Sequence, residues 1–237
     1  MSKIFQSKQN EGEQWISISD MMSGLMMVFL FISVSYMINV LREKQQIKEI
    51  AITYSRLQSD LYNDLYDEFK IDLPKWNAQI DRQSLSVRFL EPNILFEQGN
   101  FEVKPGFKSI LEDFFPRYLK ILASPKYRGD IEEIRIEGHT SSEWQLDASP
   151  DVAYMKNMEL SQNRTRSVLE FVISLPDPKV QQEKEWLKKY LTANGLSSSK
   201  LIFNNGQEDK IVSRRVEFRV RTNAEKRIVK IVSGSLQ

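Results

Sequence analysis

Two stretches decide how this chain folds: IEEIRIEGHTSS, Ile131–Ser142, and NMELSQNRTRSVLEFVISL, Asn157–Leu175. The first reads as a strand that ends in a glycine-containing turn. The second sets Leu160, Val168, Leu169 and Val172 at helical spacing. Strand followed by helix is the building unit of layered α/β structure. Working outward, SLSVRFL (Ser84–Leu90) alternates as a strand, and the loop NILFEQGNFEVKPG leads into a helix, FKSILEDFFPRYLKIL, where Pro116 is expected to kink or break it. Downstream, EKEWLKKYLTANGL reads as a short helix stopped at Asn194-Gly195. LIFN and RRVEFRVRT read as closing strands. The fold class expected from these elements is α+β: an N-terminal membrane helix and helical stalk, then an α/β sandwich with a mixed sheet and helices on one face. No internal repeat or low-complexity segment interrupts the pattern.

The N-terminal region has a different texture. WISISDMMSGLMMVFLFISVSYMINV, Trp15–Val40, holds a single charge, Asp20. From Met21 to Leu41 there is no Asp, Glu, Lys or Arg. At about 1.5 Å per helical residue, roughly 20 such residues cross a hydrocarbon core. The run is too long for a signal-peptide core and offers no small-residue cleavage site. Trp15 suits the headgroup layer at one end. Asp20 shares a helix face with Ser23 and Gly24, small residues that let another helix come close. An acid at that depth is costly and usually faces a partner or a water-filled path. The alternative is a helix N-cap at the headgroup boundary, assisted by Ser17 or Ser19.

Beyond Leu41 the helical pattern turns polar. Ile47, Ile50, Tyr54, Leu57 and Leu61 form a narrow seam spaced 3, 4, 3, 4, which fails where Asp64 takes the next place. This reads as a short stalk pairing with a second copy; the alternative is an amphipathic helix packed on its own domain. Pro74 is the expected end. The resulting division is 1–14 as a tail, 15–41 as the span, 42–74 as the stalk and 75–237 as the globular domain.

Composition narrows the chemistry. The 237 residues carry a formal net charge of +1, giving no case for nucleic acid. With no cysteine there is no disulfide, cysteine metal site or thiol nucleophile, and with one histidine, His139, a zinc site is not expected. No paired carboxylates or nucleophile arrangement stands out, so the chain does not read as an enzyme. His139, with no nucleophile or metal partner evident, is read as structural, and Glu132, Glu133 and Glu137 as strand-edge and turn charges.

FEQGNFEVKPGFKSIL, IRIEGHTSS, NMELSQNRTRSVLEFV and SRRVEFRV follow one another in the order of the OmpA-like peptidoglycan-binding family, which this part of the chain resembles over about residues 84–222. The tryptophan and aspartate at the start of a lone membrane helix, Trp15 and Asp20, resemble the MotB class of stator subunits. Within that architecture, ISDMMSGLMMVFLF looks most like the B subunits of Zorya anti-phage defence systems.

The resemblance implies a single-pass protein of the bacterial inner membrane, with a cytoplasmic N-terminus and a periplasmic wall-binding domain. The cation count leans weakly the other way: Lys3 and Lys8 precede the span, while Arg42, Lys44 and Lys48 follow it. The resemblance overrules so small a margin. It further implies a homodimer inside a multi-helix A-type motor subunit, five around two B subunits, with peptidoglycan as the anchor. Asp20 matches the stator aspartate that takes up and releases the translocated ion, a proton by preference or else sodium, and no cofactor is implied. Arg164 matches the arginine that holds the diaminopimelate end of the stem peptide. Asn157, Leu160, Thr140 and Ser141 match the same motifs. Ser141, however, stands where the family has an aspartate, and a hydroxyl cannot neutralise an ammonium. The segment Ser142–Asn157 is longer than the family norm, and Glu143, Asp147 or Asp151 in it are candidates for the missing charge. Arg214 and Arg215 match the last motif; one is expected to brace the site. Two other functions fit the same architecture, a flagellar stator subunit and a passive tether between membrane and wall.

Overall fold

The computed structural model describes residues 2–90, 95–97, 99–145 and 147–223, with backbone alone at 2–18 and at 53. One long helix, α1, runs Ser2–Phe69. It is followed by β1 (Ala78–Asp81), β2 (Ser86–Phe89), α2 (Pro105–Leu122), β3 (Ile131–His139), α3 (Pro150–Ser174), α4 (Pro178–Gln182), α5 (Lys184–Tyr190), β4 (Leu191–Gly195), β5 (Phe203–Asn204), β6 (Gln207–Glu208), α6 (Lys210–Ser213) and β7 (Arg215–Thr222). Two compact units result, one built on Met1–Ile52 and the other on Thr53–Arg227.

In the smaller unit, α1 is long and apolar enough to cross a membrane, and it presents exposed Met26, Phe29, Leu30 and Phe31. Asp20 lies inside the helix, not at its start, so it is no N-cap. On the same face the Ser23 hydroxyl donates to the Ser19 carbonyl at 2.8 Å.

In the larger unit, five strands form a mixed sheet in the order β1-β2-β7-β3-β4. All neighbours are antiparallel except β3 and β4. Alternation splits the sheet chemically. Val87, Phe89, Ile134, Ile136, Val216, Phe218 and Val220 are buried and pack into one apolar core with α2 and α3. Phe114 of α2 stacks edge-on to Phe218 at 5.1 Å and to Phe89 at 5.2 Å. The opposite face carries Arg88, Arg135, Glu137, His139, Arg215, Glu217 and Arg219.

Several sequence expectations change here. The boundary at 74–75 falls inside the larger unit, because Leu61, Leu65 and Phe69 of α1 and Leu73 after it are buried in that same core. The distal half of the expected pairing seam is thus used by the chain's own domain: Leu61 is buried and Leu57 packs against it. Asp64, where the seam fails, accepts from Lys126 Nζ at 2.7 Å and Tyr127 Oη at 2.6 Å. Arg117 adds a clamp, donating to Glu68 at 2.7 Å and Asp72 at 3.0 Å while lying over the Phe69 ring. The helix stops at Phe69, before Pro74.

Pro116 neither breaks nor ends α2. The cost of an interior proline, about 3 kcal/mol from the lost hydrogen bond and the ring clash together, is outweighed by burial of Phe114, Phe115, Tyr118 and Leu119 around it. Asn194-Gly195 is not a helix stop: it lies in β4, paired in parallel with Glu137 and Gly138. LIFN contributes only Phe203–Asn204 to a two-residue hairpin with Gln207–Glu208, outside the main sheet. The helix expected from Asn157 begins at Pro150, after a Ser149 cap that accepts from the Val152 amide.

Candidate functional site

A cleft of about 540 Å³ opens where the end of β3, the first half of α3 and the loop before α2 meet. Thr140, Ser141, Asn157, Leu160, Arg164 and Arg214 all line it. These six residues, matched by motif in the sequence, are therefore brought to one place.

The scaffold explains how. Glycine at β3 and β4 lets α3 lie close on the strand ends. A Cβ on Gly138 would stand 2.7 Å from Thr165 Cγ2, and one on Gly195 would stand 2.3 Å from the Gln162 amide nitrogen. The turn after β3 is tied down through the Thr140 amide, which donates to Ser197 O at 2.9 Å, and the Ser197 amide, which donates to Ser161 Oγ at 3.0 Å. Buried Asn157 spends its amide on the same turn, donating to the Ser141 carbonyl at 3.2 Å and the Glu143 carbonyl at 3.0 Å. It organises the wall of the cleft through backbone.

Arg164 reaches from α3 to the opposite wall. Its Nε donates to Asn100 O at 2.9 Å and its Nη2 to Glu97 O at 3.1 Å, and the guanidinium lies 4.8 Å from the Phe96 ring centre. These are carbonyl partners, which orient the cation without neutralising it. Burial, and then the charge of Arg214, lower the guanidinium to about 10. Arg214 is anchored by Nε to the Lys210 carbonyl at 2.9 Å. The two motif arginines thus divide: Arg214 faces the cleft, while Arg215 turns to the other sheet face and donates to Glu217 at 2.6 Å.

Of the three candidate acids in the long segment, Glu143 lines the cleft, and Asp147 and Asp151 do not. The Glu143 carboxylate is ion-paired to Lys210. Phe96, Glu97, Gly99, Trp144 and Gln145 also line the cleft and were not assigned to the site from the sequence. Phe96, Glu97 and Gly99 belong to the FEQG motif, which was the available signal; Gly99 takes φ 71°, a conformation glycine favours.

Behind the cleft, the charged sheet face is a buried ion-pair layer. Arg88 lies 3.0 Å from Glu217, and Arg219 lies 3.8 Å from Glu137. Although burial works against its charge, Arg215 and Arg88 hold Glu217 below the usual carboxylate range, whereas burial raises Glu137. Glu137 is thus a buried member of this layer, not an edge charge. His139 sits 3.8 Å from both acids with neither ring nitrogen hydrogen-bonded, and burial followed by the Arg215 charge lowers it to about 3. Glu137, His139 and Glu217 bring ligand atoms within 4.8 Å of one another, but the arginines already take up the negative charge that a metal would need.

No family model matches the chain. Among solved structures it is similar to a MotB-like protein from Desulfovibrio vulgaris, at 21% identity over 75% of this chain and 99% of that one, TM-score 0.49. It is also similar to the periplasmic domain of Helicobacter pylori MotB, at 20% identity over 63% and 84%, TM-score 0.41. Among curated proteins it is 26% identical to Zorya protein ZorB of Escherichia coli O139:H28 over 90% of this chain and 82% of that one. To Zorya protein ZorB of Escherichia coli strain Crooks it is 48% identical over 233 residues, covering 98% of this chain and 97% of the relative. With that identity running nearly end to end through helix, cleft and sheet, the chain belongs to the ZorB family.

Proposed function

We propose that this protein is the ion-conducting, wall-anchored B subunit of a rotary inner-membrane motor that acts in anti-phage defence. One observation carries the reading: a single chain joins an apolar stretch of membrane length bearing one acid, Asp20, to a domain whose cleft collects Thr140, Ser141, Asn157, Leu160, Arg164 and Arg214. Asp20 is the ion site. Ion uptake neutralises its carboxylate against the partner's helices and release restores the charge. Each change alters which partner contact is favoured, and repetition turns the ring. A proton is the favoured ion, with sodium the alternative. The partner is a multi-helix A-type subunit, five around a dimer of this chain. The N-terminus is cytoplasmic and the domain periplasmic, where Arg164 and Arg214 hold the carboxylate end of a peptidoglycan stem peptide and make the chain a fixed point for torque.

The test is phage plaquing with the neighbouring genes co-expressed. Asp20→Asn removes the exchangeable charge at nearly constant shape and is expected to abolish protection while the protein still reaches the membrane. Protection equal to wild type would leave the chain a passive tether, which needs no acid in its span. Loss of swimming on deletion, with phage sensitivity unchanged, would make it a flagellar stator instead.

A further inference from the structure

The charges around the cleft do not balance locally, and this bears on what the cleft accepts. Both acids at its rim already have a lysine: Glu143 is paired with Lys210, and Glu97 lies 3.8 Å from Lys104. Glu97 and Glu143 are also well exposed, at 69% and 64% of their side chains, so water screens what charge remains. Arg164 and Arg214 have no carboxylate partner among the described residues; both are held by backbone carbonyls. The floor between them is neutral. Thr140 is 3% exposed, and its hydroxyl is buried without a hydrogen-bond partner, beside the Ser141 side chain. Such a site offers two cations and two hydroxyls. It suits an anion flanked by neutral N–H groups. A ligand ammonium would be a third positive charge with no desolvated acid to meet it.

We infer that the cleft recognises a carboxylate whose neighbouring amine is acylated, as in a cross-linked stem peptide, and not the free zwitterionic end. The inference rests on the wall-binding reading above and deepens it. Cross-linking converts the side-chain ammonium of the stem-peptide diamino acid to an amide and leaves its carboxylate free, which is the ligand this charge pattern fits. The occupant is then mature, load-bearing wall.

The full chain in detergent is tested first by co-sedimentation with purified sacculi. Binding is then measured to three soluble probes: a diaminopimelate stem peptide, the same peptide with the side-chain amine acetylated, and the same peptide with the adjoining carboxylate amidated. Acetylation is expected to tighten binding by at least about threefold, since it removes a positive charge that the two arginines oppose. Amidation is expected to weaken it by roughly 10- to 100-fold, the usual range for a hydrogen-bonded charge. Ser141→Asp, which places a carboxylate on the floor, is expected to bring a preference for the free amine of at least about tenfold. Equal binding of the free and acetylated peptides, or a preference for the free amine, in the wild-type chain overturns the inference while wall binding stands. So does sedimentation with sacculi when none of the peptides binds. If the chain neither sediments nor binds any peptide, the wall-binding reading falls and the inference with it.

Discussion

His139 shows how far a residue's chemistry is set by its neighbours. It is 2% exposed, between Glu137 and Glu217, with Arg215, Arg88, Arg219 and Arg135 around the same cluster. Lowered from 6.5 to about 3, it stays neutral in the folded protein throughout the physiological range. The unfolded chain takes up a proton below about 6.5 that the native state refuses, so this residue's effect on stability is absent above that pH and grows as pH falls toward 3. At pH 5 the cost is about 2 kcal/mol. Glu137, raised by burial, acts in the opposite sense, so the test compares variants. Urea unfolding at pH 7.5 and pH 5 should show the wild type losing about 2 kcal/mol more than His139→Asn over that interval. Equal losses would place the acid sensitivity elsewhere. The sequence showed His139 to be structural but not that it lies in a buried charge layer. Its acids and arginines come from β2, β3 and β7, and only strand pairing brings them together. Lys210 on α6 and Glu143 on the loop after β3 also meet only in the folded chain, and their pairing bears on the charge of the cleft. Arg214 and Arg215 are adjacent, but Arg214 caps the end of α6 while Arg215 opens β7, and this separates their roles.

At the scale of elements, the contact that matters most is α3 on the ends of β3 and β4. Gly195 is the tightest point: an added Cβ meets the Gln162 amide nitrogen at 2.3 Å and its Cα at 2.6 Å. These are backbone atoms in a helix and cannot rotate away. Gly195→Ala must therefore lift α3 from the sheet, at a cost at or above the upper end of the usual 1–3 kcal/mol for overpacking, about 3 kcal/mol. For a domain of this size that is roughly a 10 °C fall in Tm, measured by circular dichroism. Because α3 carries Asn157, Leu160 and Arg164, the stem-peptide binding proposed for the cleft should weaken even below the melting range. A Tm within about 2 °C of wild type would mean that the helix has room to give. Reading this glycine as a helix stop followed sound local logic, since Asn-Gly after a helical run is a usual C-cap. What makes it a strand residue is parallel pairing with β3, more than fifty residues earlier, which no local pattern reveals. The strongly alternating β2, β3 and β7 and the long α3 were legible because one buried face writes its period into the sequence.

At the scale of the whole molecule, the sequence places a boundary at Pro74, the expected end of the helix, but packing places it earlier. Leu61, Leu65 and Phe69 are fully buried and Leu73 nearly so, all in the core that holds Phe114 and Phe218. Phe69 stacks 5.1 Å from Phe114 and 5.9 Å from Trp76. A fragment beginning at residue 75 loses all four apolar side chains together with the Asp64 and Glu68 anchors for Tyr127 and Arg117. Removing a single large core side chain costs about 2–5 kcal/mol, and a domain holds only about 5–15 kcal/mol in total. Removing four costs about 8–20 kcal/mol, as much as or more than that reserve. A fragment from residue 53 retains them. Expressed side by side, the chain from 53 should give a cooperative thermal transition and dispersed amide signals, and the chain from 75 should give neither. Leu65→Ala in the longer fragment should lie between, lowering stability by about 2–5 kcal/mol. A cooperative transition from residue 75 onward would show that the last turns of α1 merely rest on a complete domain. Failure of that fragment alone would make the last turns of α1 an integral part of the larger unit's fold, with Leu61, Leu65 and Phe69 as core residues of it.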